Sequence, residues 1–110
     1  MSLRSQLLKG ILEGCILSII SHEEVYGYEL SVKLQSFGLS DVSEGSIYPV
    51  LLRLQKAKLI SGEMRTSPSG PKRKYYHITE EGENTLIQFK KEWESIKLPV
   101  EQIIKGRDGD

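Results

Sequence analysis

Ser43-Glu44-Gly45-Ser46-Ile47-Tyr48-Pro49-Val50-Leu51-Leu52-Arg53-Leu54-Gln55-Lys56-Ala57 is the stretch on which the reading of this 110-residue chain turns. Ile47, Val50, Leu51, Leu54 and Ala57 recur at helical steps of three and four, which predicts a helix with one apolar face. Its other face shows Ser46, Tyr48, Arg53 and Lys56. Ser43 is the candidate N-cap, and Glu44 suits the positive end of the helix dipole. Pro49 has no amide proton to give, so the expected start moves on to Gly45 or Ser46.

Working back from that helix, Ser40 to Ser43 is polar enough for a short connection, and Gly38 is placed to stop a preceding helix. That helix is expected from about Gly27 to Phe37, with Leu30, Leu34 and Phe37 at helical spacing. His22-Glu23-Glu24 reads as a polar break. Before it, Leu3, Leu7, Leu8, Ile11, Leu12, Cys15, Ile16, Ile19 and Ile20 predict one long helix with a broad apolar stripe. Gly10 and Gly14 each cost about 1 kcal/mol inside a helix relative to alanine. Close approach of a neighbouring helix would offset that.

Working forward, two β-like runs follow, Leu59 to Thr66 and Arg73 to Thr79, separated by the turn-rich Ser67-Pro68-Ser69-Gly70-Pro71-Lys72. They predict a hairpin with a flexible basic tip. Lys74, Tyr76 and Ile78 would share one face and Arg73, Tyr75 and His77 the other. Thr79, with Glu80, Glu81 and Glu83 behind it, is a plausible N-cap for a last helix. Leu86, Phe89, Trp93, Ile96, Val100 and Ile103 then form a heptad seam, which calls for a partner helix. Pro99 predicts a kink or break near Ser95 to Leu98, and Gly106 to Asp110 is expected to fray.

Formal net charge is zero, but its distribution is uneven. Residues 43–76 hold seven basic and two acidic side chains, a net +5, while 1–42 hold three against five and 77–110 five against eight. A basic middle between acidic flanks describes a polyanion-binding face on a neutral chain. Length and composition are those of one globular domain. No segment is long and apolar enough to span a bilayer. Arg4 and Lys9 interrupt the N-terminal apolar stretch, which speaks against a signal peptide. The one cysteine, Cys15, lies among Ile and Leu, as a buried thiol in the cytoplasm would. His22 and His77 stand far apart without ligand-spaced cysteines or carboxylates, and no phosphate loop or nucleophile elbow is present. An enzyme, a metal centre and a cofactor are therefore not expected.

The order helix, helix, helix, hairpin, helix predicts a mainly α fold with a small β-hairpin. It is a winged helix-turn-helix over 1–79, a C-terminal dimerisation helix over 80–105 and a frayed tail over 106–110. In such a fold the second helix of the pair enters the major groove of double-stranded DNA, and the wing reaches phosphates. Tyr26-Gly27-Tyr28-Glu29-Leu30, Glu44 to Leu51, Arg53-Leu54, Lys58-Leu59-Ile60 and Arg73 to Thr79 with Gly82 resemble the PadR family of transcriptional regulators. The resemblance runs from the first helix to beyond Trp93. It implies a homodimer, usually a repressor, whose last helix packs on the partner's first helix, as in the compact subgroup with a single C-terminal helix.

The candidate DNA contacts are Tyr26, Ser43, Ser46, Tyr48, Pro49, Arg53, Lys72, Arg73 and Lys74. The candidate dimer seam is Leu7, Ile11, Leu86, Phe89, Trp93, Ile96, Val100 and Ile103. Some members of that subgroup bind flat hydrophobic compounds against a tryptophan of the last helix, and Trp93 matches its position. With Leu8, Ile11, Leu12 and Ile96 it is the candidate site for a small hydrophobic or phenolic effector; a plain seam-filling role is the alternative. Two other readings compete: a winged-helix protein-interaction module that does not touch DNA, and a simple binder of a hydrophobic compound.

Overall fold

A computed structural model describes residues 2–67 and 70–106. The order is α1 (Leu3–Leu8), α2 (Leu12–His22), α3 (Gly27–Ser36), α4 (Glu44–Lys56), β1 (Ile60–Ser67), β2 (Gly70–Ile78) and α5 (Glu80–Lys105). The single long N-terminal helix expected from the apolar stripe is two helices. They part at Lys9 to Ile11, where a Cβ on Gly10 would touch nothing within 4 Å. Gly10 therefore gains no packing to offset its flexibility, and the chain turns there. Gly14 behaves as expected: the Phe89 ring of α5 lies where a Cβ would stand, 2.2 Å from its position.

The core is assembled from the apolar sides of α2, α3 and α4. Ile16, Val25, Leu30, Leu34, Ile47 and Leu51 are its largest fully buried side chains, joined by Ile60, Tyr76 and Leu86 from the hairpin and α5. Each such burial contributes about 1.5–3 kcal/mol. Phe37 falls outside it. α3 ends at Ser36, and Phe37 is 81% exposed at the C-cap, so the expected apolar spacing stops one turn early. Gly38 stops the helix with φ +111, and the Leu39 amide donates to the Leu34 carbonyl.

α4 starts at Glu44, not at Gly45 or Ser46, so Pro49 stands in its second turn. The bond that a residue 49 amide would give to the Gly45 carbonyl is missing, and exposed Gly45 leaves that oxygen to water. Ser43 holds the N-cap position without capping an amide; its hydroxyl lies 3.4 Å from that of Ser46. After α4 the backbone repeats the closing pattern of α3, with the Leu59 amide on the Leu54 carbonyl, but Lys58 takes the left-handed position (φ +63) instead of glycine.

β1 and β2 are antiparallel, with Ile60 opposite Ile78 and Arg65 opposite Arg73, and the register shifts between Arg65 and Ser67. The strands reach further than expected. Gly70, Pro71 and Lys72 belong to β2 rather than to the tip, while residues 68 and 69 of the expected turn lie outside the described residues. Val25 bridges to Tyr76 through the Val25 amide at 3.4 Å and the Tyr76 amide at 2.8 Å, which fixes the hairpin beside the start of α3.

Thr79 caps α5 as expected, accepting from the Gly82 amide at 3.0 Å. Its hydroxyl also faces the carbonyls of Lys58 and Leu59, at 2.7 and 3.0 Å. Gly82 closes the junction, since a Cβ there would stand 2.0 Å from the Leu59 carbonyl oxygen. The expected break at Pro99 does not occur: α5 runs through it to Lys105. Of the expected fraying tail, residues 107–110 lie outside the described residues.

Candidate nucleic-acid interface

The exposed side of α4 and the cationic part of β2 meet at the N-terminus of α3. Tyr26, Gly27, Tyr48, Lys72, Arg73, Lys74 and Tyr76 line a groove of about 200 Å³ there. Local sequence puts them in place. Tyr26 precedes α3, and its backbone amide donates to the Glu29 carboxylate at 3.2 Å, a link typical of helix starts. The Tyr26 ring meets Tyr75 edge-on at 5.3 Å, and the Arg73 guanidinium lies 4.6 Å from its centre. Arg73 is thereby held beside the groove, with the Tyr26 ring packed between it and Tyr75.

Lys74 lies on the other face of β2. Its methylene stem crosses Gly62, where a Cβ would come within 2.4 Å of Cε, and its ammonium donates to Gln55 of α4 at 3.2 Å. Lys72 is exposed at the outer edge. Tyr48 is half exposed and its hydroxyl donates to Glu44 at 3.1 Å. Burial first, and the Glu44 carboxylate second, hold this phenol above its ordinary range, so it remains a neutral donor and acceptor.

Ser43, Ser46 and Pro49 are exposed along the first turns of α4, on the side that faces away from the core. Arg53 departs from the expectation. It points toward α2, where its Nε lies 3.1 Å from the Glu13 carboxylate, and it lines a separate cavity with Leu8, Leu12 and Ser46. Arg65 is likewise engaged, by Glu63 at 2.8 Å and Glu24 at 2.5 Å. Sequence reasoning missed Gly27 and Gln55. Neither carries a charge, and only the approach of Tyr48 and Lys74 gives them a place at this groove. Gly27 is where it is because the Tyr48 hydroxyl lies 2.7 Å from the position of its would-be Cβ.

Gly27→Ala should therefore leave stability within about 1 kcal/mol of the parent, because the obstructing atom ends a movable side chain and alanine favours helix. It should push Tyr48 off Glu44 and weaken duplex binding about tenfold, the worth of one hydrogen bond. A thermal melt beside an anisotropy titration reads both; unchanged affinity would remove Tyr48 from the interface.

The candidate dimer seam divides. Leu86 is buried within its own chain and is withdrawn from the seam, while Phe89 is seated on Gly14 and partly buried. Trp93, Ile96, Val100 and Ile103 are exposed along α5, as is Leu7 of α1. Ile11 is half-buried. Leu12 is likewise withdrawn from the effector site because it is core, and the Leu8–Leu12 cavity, of about 320 Å³, opens beside α4 away from Trp93. Burial raises the Cys15 thiol above its ordinary range, which favours the protonated, less reactive form. Among the described residues no group of acidic, histidine and cysteine side chains could hold a metal, and no helix is long and apolar enough to cross a membrane.

A helix-turn-helix pair, a cation-bearing hairpin locked beside its second helix, and a long terminal helix together define a winged-helix DNA-binding regulator. Residues 16–88 match the Transcriptional regulator PadR-like family. The chain belongs to that family of transcriptional regulators. It is 60% identical to a PadR-like transcriptional regulator of Bacillus cereus, over 93% of this chain and 99% of that one, with a TM-score of 0.83. A Streptococcus transcriptional regulator is 46% identical over 92% and 98% of the two chains, with a TM-score of 0.81. An uncharacterized protein of Lysinibacillus sphaericus is 32% identical over 105 residues, 94% of this chain and 96% of its own.

Proposed function

We propose that this protein is a cytoplasmic repressor that binds a near-palindromic operator as a homodimer and is released by a small hydrophobic or phenolic compound. The observation that carries it is the shared groove of Tyr48 with Lys72, Arg73 and Lys74, which sets neutral hydrogen-bonding groups on α4 beside three cations of the wing. Cations neutralise phosphates and fix position, while α4 meets base edges. Residues 1–79 form the DNA-binding part and 80–105 the dimerisation helix. The exposed run Trp93, Ile96, Val100 and Ile103 supports pairing, because a stripe of this kind is stable in water only when covered.

The effector acts beside Trp93, and it works only by binding differently to the DNA-competent and incompetent arrangements of the two subunits. Half-sites lie about one helical turn apart.

A gel-shift titration against the region upstream of the protein's own coding sequence, at two salt concentrations, tests the DNA reading. Tight binding that weakens steeply with salt is expected. Absent or salt-insensitive binding, with a protein partner captured instead, would establish the interaction module. Sedimentation should give a particle of twice the 12.5 kDa chain mass, and a monomer would remove the dimer.

A further inference from the structure

We infer that the outward face of α4 reads thymine methyl groups, through Pro49 and Leu52, so that the base pairs under the middle of this helix are A·T. The inference rests on the DNA-binding reading above and names what that same surface recognises. Ile47, Val50, Leu51 and Leu54 turn into the core. The opposite arc is then centred on Gly45, Pro49, Leu52 and Lys56, all exposed, with Tyr48 on one side and Ser46 and Arg53 on the other. Leu52 is 54% exposed in a chain that buries the other leucines of α4 almost completely. It stands one turn from Tyr48 and Pro49, so the three side chains form one apolar ridge.

The hydrogen-bonding inventory of this face is poor in the groups that read other bases. Guanine is read by a bidentate arginine or lysine and adenine by an asparagine or glutamine. Here Arg53 is turned to Glu13, and the Gln55 oxygen is occupied by Lys74. Glu44, a possible acceptor for cytosine, holds the Tyr48 hydroxyl. Lys56 ends the helix, so apolar surface is what remains at its middle, and in the major groove the one apolar group a base presents is the thymine C5-methyl. Cations stand at the edges of the ridge, Lys56 at the end of the helix and Lys72, Arg73 and Lys74 on the wing, where phosphates flank the groove. That arrangement selects a DNA groove over an apolar protein surface as the occupant.

Deoxyuridine differs from thymidine by that methyl alone, which supplies the test. The full-length protein would select duplexes from a random-sequence pool. A selected duplex would then be remade with deoxyuridine at one thymidine at a time. Affinity should fall about 3- to 5-fold at each methyl the ridge covers. Leu52→Ala should weaken the thymidine duplex similarly yet make little further difference on the deoxyuridine duplex, because both changes remove the same contact. Leu52 is exposed, so the variant should fold, and circular dichroism checks this. Selected duplexes with G·C pairs under the helix, or equal binding of thymidine and deoxyuridine forms, would overturn the inference while leaving DNA binding intact. If no duplex is enriched, the DNA-binding reading falls and this inference with it.

Discussion

Gly82→Ala is expected to lower the stability of the fold by about 3 kcal/mol, the upper range for forcing a methyl into filled space. The obstruction is the Leu59 carbonyl oxygen, 2.0 Å from where the new Cβ would stand, with an Ile78 side-chain carbon at 2.7 Å. Backbone cannot step aside as a side chain can, and this carbonyl also faces the Thr79 hydroxyl and accepts from the Thr79 amide. In a domain of this size the melting temperature should drop by roughly 12–24 °C. Gly10→Ala is the comparison, since its Cβ would meet nothing within 4 Å, and it should be neutral or slightly stabilising. A pair of melts followed by circular dichroism decides it: equal curves would mean that the junction between the hairpin and α5 is looser than its geometry shows.

Replacing Lys72, Arg73 and Lys74 together by alanine should act on DNA rather than on the fold. Lys72 is exposed at the edge of β2, Arg73 leaves its position over Tyr26, and Lys74 leaves one hydrogen bond to Gln55 and the contacts of its stem with Gly62 and of its ammonium with the Tyr76 ring. Each cation that displaces a counterion contributes about 0.9 to the slope of log affinity against log salt. A dimer loses six, so the slope should flatten by about 2 to 5 and the low-salt affinity fall about 100-fold or more. Lys90 and Lys91 on α5, changed to alanine as a control, should leave the slope as it was. A triple variant with the parent's slope would show that the wing does not touch phosphate.

Periodicity made most of the fold legible. The apolar steps in α2, α3, α4 and α5 are local signals that survive in any environment able to cover one face, and Gly38 and Thr79 announced their helix ends through their own chemistry. What stayed hidden depends on residues distant in sequence. Nothing near Arg53 reveals that Glu13, forty positions earlier, takes its guanidinium, and nothing near Phe89 reveals that its ring needs the bare face of Gly14. Lys58 in the left-handed region carries no glycine to mark it. Pro49 misled for a different reason. It costs one backbone hydrogen bond, but exposed Gly45 keeps its carbonyl in water, so the helix could begin earlier than proline rules suggest. The wing cations and Tyr48 were legible because charge and hydroxyls stand out in a sequence. Gly27, Gln55 and the ridge at Leu52 matter through position alone.

The joint at Thr79 gives α5 a mechanical character. Thr79, Gly82, Leu86 and Phe89 are where this helix bears on the body of its own chain, and Ile103 lies about 21 Å beyond Phe89 at the helical rise. Held along its first ten residues, the helix is a cantilever: from Trp93 on it projects, exposed, from a clamped root. Thr79 is tied by its hydroxyl to the carbonyl of Lys58, two residues past the end of α4. A load applied to the outer part of α5 is therefore carried through this root to the end of α4.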